Sequence, residues 1–113
     1  MTVNAFKAPE DDAHIRRLFQ EIEHNLKIIN REKISSITGE VSRKAFNDVA
    51  STTARLRARY LAKVIELEAT DDIKHDEIST LRDFRLMYEE AMEGFSALQH
   101  ALSRGYFDLS DNE

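Results

Sequence analysis

The chain has 113 residues, of which 33% are charged and 42% are apolar, and its formal net charge is −5. This length allows one domain, and the apolar content is too high for wholesale disorder. The sequence contains no cysteine, which excludes disulfides, thiolate metal sites and a cysteine nucleophile. It has no recognisable secretion signal and no apolar run of the roughly 20 residues that span a bilayer. We therefore expect a cytoplasmic protein with no membrane association.

The sequence predicts an all-α fold. One proline and three glycines leave almost no turn chemistry for hairpins, and apolar residues recur at the helical spacings of three and four. We expect one helical domain over residues 1–105, with helices at about 9–37, 42–69 and 72–104, and a short acidic tail at 106–113. The apolar residues of that tail, Tyr106, Phe107 and Leu109, either dock on the helices or form a recognition peptide.

The helix ends are indicated by residues with known end preferences. The first helix is expected to begin at Pro9, whose fixed φ suits the first helical position, and to end at Gly39, a typical left-handed terminator. Ser42 can cap the second helix by accepting a hydrogen bond from a backbone N–H. Thr70 and the two aspartates after it are expected to cap the third helix, which should close at Gly105.

Each helix carries one main apolar stripe. In the first helix the stripe is Ile15, Phe19, Ile22, Leu26, Ile29 and Ile37. In the second it is Phe46, Val49, Thr53, Leu56, Tyr60, Val64 and Leu67. In the third it is Leu81, Phe84, Tyr88, Ala91, Phe95, Leu98 and Leu102. Short connections favour antiparallel neighbours, so we expect an up-down-up three-helix bundle, which could pair into a larger bundle as an oligomer. Gly94, beside the third stripe, favours close approach of another helix.

Eight further large apolar residues lie off these stripes: Leu18, Ile28, Ile34, Leu61, Ile65, Leu86, Met87 and Met92. A single bundle would leave several of them in water, and apolar surface patches commonly mark partner sites. The alternative is a core broader than the stripes. From the first interpretation we predict self-association, with a homodimer favoured, or binding of a protein partner. The predicted apolar contacts are Leu61, Ile65, Leu86, Met87 and Met92.

Positive charge is concentrated in the second helix, whereas residues 71–113 hold four basic and eleven acidic residues, a net charge of −7. Arg55, Arg59 and Lys63 share one face at four-residue spacing, and Arg57 points elsewhere. We interpret the shared face as one that orients a partner helix. It could instead pair with acidic residues of the third helix, for which the candidates are Asp83, Glu89, Glu90 and Glu93. A phosphate-binding stripe for nucleic acid is the other alternative.

No catalytic constellation is evident, so we expect no enzyme activity and no cofactor. Two carboxylate–histidine pairs have metal-ligand spacing, Glu21 with His24 and Asp72 with His75. Glu21 and His24 rotate away from the apolar stripe, and Asp72 lies where a cap is needed, so we predict no metal site. The sequence thus predicts a non-enzymatic protein–protein interaction module, such as a small acidic adaptor, regulator or chaperone-like subunit. The alternative is a nucleic-acid-associated regulator that uses the second helix.

Overall fold

The computed structural model describes residues 9–68 and 71–111, and it confirms the all-α class. The helices are α1 (Pro9–Thr38), α2 (Arg43–Ile65) and α3 (His75–Ser103). Two short strands, β1 (Val41–Ser42) and β2 (Leu109–Ser110), form a parallel pair. None of the helices in the described ranges combines the length and the hydropathy that a membrane span requires.

The connection from α1 to α2 is built by the two residues that the sequence indicates. Gly39 ends α1 with a φ of +68°, and its N–H donates to the Ser35 carbonyl oxygen at 2.9 Å. Ser42 caps α2, because its Oγ accepts a 2.9 Å hydrogen bond from the Ala45 N–H. Both predicted helix ends are therefore confirmed, and the connection between them is short.

The end of α3 reverses the direction of the chain. Gly105 has a φ of +76°, its N–H donates to the Leu102 carbonyl, and the Tyr106 N–H donates to the Ala101 carbonyl. This pair of bonds is a Schellman motif, which satisfies the last carbonyls of the helix. A Cβ on Gly105 would lie 2.8 Å from Cε of Lys27, so α1 crosses the chain at this glycine.

The connection between α2 and α3 is longer than the sequence predicts. α2 ends at Ile65 rather than residue 69, because the chain continues in a turn with i to i+3 hydrogen bonds. α3 begins at His75 rather than residue 72, and its N-cap residue, Lys74, makes no side-chain capping bond. The aspartates that were expected to cap α3 precede it in a bend, and Thr70 lies outside the described residues.

α2 and α3 pack side by side as an antiparallel hairpin. Phe46, near the start of α2, contacts Phe95, near the end of α3, with ring centroids 5.3 Å apart. Tyr60 stacks on Tyr88, with ring centroids 6.3 Å apart and ring planes 14° from parallel. All four rings belong to the predicted stripes, so the stripes of the second and third helices face each other.

α1 does not complete a bundle with this hairpin. Within the described ranges it has no extended contact with α2 or α3, and it meets the segment at 105–110 instead. The radius of gyration is 23.3 Å, whereas a compact domain of this length has about 13 Å. The predicted up-down-up packing is therefore not confirmed within one chain, which measures 74 × 48 × 18 Å.

The extended shape leaves the chain with almost no core. Among the described residues, Phe107 is the one buried apolar side chain and Thr53 the one buried polar side chain. The accessible surface is 8934 Å², about 2600 Å² more than the roughly 6300 Å² expected of a compact 13.0 kDa monomer. Two helices cover only one side of each other, so apart from Thr53 the residues of their stripes stay half-buried or exposed.

Removing the Ser42 cap tests the N-terminal boundary of α2 directly. Replacing Ser42 by Ala leaves a helix N–H without its acceptor, and we expect the free energy of unfolding to fall by about 1 kcal/mol. The matched control is Ser51→Ala, in the middle of α2, where the change should be neutral or slightly stabilising because alanine favours helix. Urea denaturation measures both, and equal losses would contradict the assignment of the cap.

Candidate interaction surfaces

The apolar side of α1 is the first unpartnered surface. We call it the α1 face, and it consists of Ile15, Phe19, Ile22, Leu26, Ile29 and Ile37. Phe19 is 60% exposed and Ile37 is 84% exposed, and except for half-buried Ile15 the others are exposed as well. In proteins most helix stability comes from packing of such a face, so α1 needs a surface to pack against.

The second surface is a groove along one side of the α2–α3 hairpin. We call it the hairpin groove; it has a volume of about 370 Å³ and is lined by Asp48, Val49, Thr52, Thr53, Ala91, Gly94 and Phe95. Thr53 Oγ1 donates to the Val49 carbonyl at 2.9 Å, so the buried hydroxyl is already satisfied. A Cβ on Gly94 would have no neighbour within 4 Å. The close helix approach predicted at Gly94 is thus not made within the described chain.

The cations of α2 are arranged differently from the sequence prediction. Arg57, which was expected to point elsewhere, contacts α3: its Nε donates to the Tyr88 hydroxyl at 3.0 Å, and its guanidinium carbon lies 5.2 Å from the ring centroid. Arg57 lies about 160° around α2 from Arg55 and from Arg59, so it points away from their shared face as expected, but its contact with α3 was not predicted. Its position three residues before Tyr60, a stripe residue that stacks on Tyr88, was the signal that could have placed it.

Lys63 and Arg55 do not pair with the acidic residues of α3. Lys63 Nζ lies 3.4 Å from Glu66 Oε2 on its own helix and 5.6 Å from the Phe84 ring centroid. Arg55 donates to Thr52 Oγ1 at 3.4 Å. No ion pair joins Arg55, Arg59 or Lys63 to the four predicted carboxylates in the described part of the chain. The alternative pairing of these three cations with the acidic third helix is therefore not made among the described residues, and Lys63 lies against the Phe84 ring of α3 instead.

The predicted apolar contacts differ in how far they are exposed. Four of them are exposed: Leu61, Ile65, Leu86 and Met87. Leu61 lies about 160° around α2 from Lys63, so the two residues cannot contact one partner helix together. Met87 shares a side of α3 with Gly94, whereas Met92 is half-buried and its Sδ accepts a 3.1 Å hydrogen bond from Tyr88. Met87 is thus the member of this set nearest the hairpin groove.

Residues 105–111, most of which were expected to be a tail, are packed against the rest of the chain. Phe107 is only 8% exposed, and β2 pairs with β1 in the connection between α1 and α2. Arg31 donates to the Gly105 carbonyl at 2.6 Å and to Asp108 Oδ2 at 2.8 Å, and Arg43 donates to Asp111 Oδ1 at 2.6 Å. This segment therefore docks, and it separates the C-terminal half of α1 from the hairpin.

Both carboxylate–histidine pairs lie within the described residues. No cluster of three or more metal-ligating side chains occurs among them. Glu21 and His24 are both exposed on α1, Asp72 lies in the bend before α3, and His75 is the first residue of that helix. The carboxylate–histidine pairs thus remain isolated surface pairs.

Comparison with models of protein families, with curated proteins and with solved structures finds no match to this chain. The functional argument therefore depends on the two unpartnered surfaces and on the docked C-terminal segment.

The docking of residues 105–111 should depend on pH. The hydrogen bond from Arg31 holds the pKa of the Asp108 carboxyl below its usual range. The contact therefore stabilises the folded chain above the ordinary Asp pKa of about 3.9, and this contribution is lost as the pH falls through the lowered value.

We expect Asp108→Asn to destabilise the chain at pH 7 and to have a smaller effect near pH 2, measured as the difference in free energy of unfolding from wild type. Asp83→Asn is the control, since Asp83 is exposed and has no ion-pair partner in the described ranges. An effect of Asp108→Asn that is equal at both pH values would contradict the role of the ion pair.

Proposed function

We propose that this chain is a helical protein–protein interaction protein without enzymatic activity, a small acidic adaptor, regulator or chaperone-like subunit that self-associates through α1. The observation that carries the proposal is the α1 face, an apolar helix side that no other element among the described residues covers. A cytoplasmic location belongs to the same proposal and rests on the sequence alone.

The size of the unburied surface supports self-association. Full burial of one large aliphatic or aromatic side chain contributes about 1.5–3 kcal/mol, and the α1 face carries six such residues. A standard interface buries about 800 Å² per partner. The excess surface of about 2600 Å² over a compact monomer is therefore more than a stable dimer needs.

The helix lengths also suit a larger helical assembly. α1 has 30 residues, α2 has 23 and α3 has 29, which correspond to about 45, 35 and 44 Å. Helices of similar length can cover each other along most of their faces. In an oligomer, each stripe that is half-buried in one chain gains a neighbour from another, so the bundle expected from the sequence is completed between chains rather than within one.

The nucleic-acid alternative lacks a structural observation in its favour. It needs the cations of α2 on one accessible stripe, but Arg57 and Lys63 lie against the rings of Tyr88 and Phe84. The net charge of −5 also opposes association with a phosphate backbone.

The proposal predicts that one charge in the α1 face disrupts assembly. We expect wild type to have a solution mass that is a multiple of 13.0 kDa, measured by size-exclusion chromatography with light scattering over a tenfold concentration range. Ile22→Lys should weaken association at least tenfold, because it places a charge in the buried seam.

Ala13→Lys is the matched control. It adds the same charge on the opposite side of α1, about 180° around the helix from Ile22 and outside the contact with residues 103–106, so it should leave the mass unchanged. Circular dichroism checks that each variant stays helical. A strict wild-type monomer at every concentration would overturn the proposal, as would equal weakening by both substitutions.

A further inference from the structure

We infer that the α1 face of one copy packs into the hairpin groove of a second copy, and that the second copy does the same in return. This reciprocal exchange rests on the proposed self-association and identifies its partner as another copy of this chain. The inference concerns where α1 binds, which self-association alone leaves open.

The α1 face and the hairpin groove are two unpartnered surfaces with complementary side chains. The α1 face presents large side chains such as Phe19 and Leu26, and the hairpin groove has small side chains at Ala91 and Gly94. Small residues let another backbone come close, so large side chains of an incoming helix can fill the space above Gly94, where nothing lies within 4 Å. The two surfaces are therefore complementary in shape and in polarity.

The C-terminal segment keeps α1 away from the groove of its own chain. The Lys27 side chain packs against Gly105, and Arg31 donates hydrogen bonds to the Gly105 carbonyl and to the Asp108 carboxylate. These contacts fix the C-terminal half of α1 against residues 105–110, so the helix cannot fold back along the hairpin while they are made. A hairpin of another copy is then the available surface.

The connection between α1 and α2 suits an exchanged arrangement. Gly39 has a φ of +68° and a Cβ there would have no neighbour within 4 Å, so the connection is not held by packing at this residue. Domain swapping commonly uses such a short connecting segment, and a reciprocal swap closes with two-fold symmetry.

The exchange buries more apolar surface than the simplest rival. If two α1 helices paired only with each other, the α1 face would be covered but the hairpin groove would stay in water. In the exchange, the N-terminal half of each α1 face covers a groove, so one contact covers apolar residues of both surfaces. Each unit then has three packed helices, the number that the sequence stripes predict, with α1 supplied by the second copy.

Cysteine cross-linking tests the inference, since the natural chain has no cysteine. One chain carries a single cysteine in the α1 face (Phe19→Cys, Ile22→Cys or Leu26→Cys), and a second, size-tagged chain carries Thr52→Cys at the groove rim. The two are co-expressed and treated with a short bismaleimide. We expect a cross-link between the two chains for at least one of the three α1 positions.

The control replaces Thr52→Cys by Ala54→Cys, on the opposite side of α2 and also exposed. It should give no cross-link. The exchange predicts weaker cross-linking to Ala54→Cys than to Thr52→Cys, so equal efficiency overturns it. Cross-linking of two α1 cysteines to each other also overturns it. So does a link within one chain that carries both the α1 and the Thr52 cysteines.

Light scattering on the same samples separates the two proposals. A dimer that cross-links at none of the three positions overturns the exchange but leaves self-association standing. A monomer overturns both.

A groove-filling substitution gives an independent test. Gly94→Leu favours helix in α3 but occupies the hairpin groove, so we expect association to weaken at least tenfold while the helix content is kept. Ser96→Leu adds the same side chain on the other side of α3 and should leave association unchanged. Unchanged association of Gly94→Leu would overturn the placement of α1 in the groove.

Discussion

The burial of the α1 face is the constraint on which the rest of this structure depends. An amphipathic helix is stabilised mainly by packing of its apolar side, and α1 presents that side along most of 30 residues without an extended contact to α2 or α3 in the described part of its own chain. The α2–α3 hairpin cannot enclose a core, because two helices cover only one side of each other. In the described ranges, Thr53 of the hairpin and Phe107 of the C-terminal segment are the only buried residues. In the proposed assembly a second chain would supply what each part lacks, and this is the physical basis of the proposed function.

The C-terminal segment determines how that constraint is met. After the reversal at Gly105, Phe107 is buried, β2 pairs with β1, and Arg31 binds Asp108. These contacts join the end of α3 to the start of α2 and to the middle of α1. They hold the C-terminal half of α1 against residues 105–110, so that its N-terminal half does not fold back along the hairpin of the same chain.

The sequence predicts the local structure better than the long-range contacts. Gly39, Ser42 and Gly105 have backbone or capping preferences that act within a few residues, and all three ends are as expected. The facing stripes of α2 and α3 follow from periodicity. The docking of Phe107 and the Arg57–Tyr88 contact depend on which elements meet in space, and periodicity gives no such information. The packing of α1 is a further example, since a stripe shows that a face must be buried but not which molecule covers it.

Hydrogen exchange of the α1 amides under conditions of known assembly tests the central claim most directly. In a sample that light scattering shows to be oligomeric, we expect the amides at 15–29 to be strongly protected, and we expect this protection to fall on dilution before that of α2 and α3. Oligomers in which those amides exchange as fast as in an unfolded chain would contradict the claim, because the contact between copies would then not involve α1.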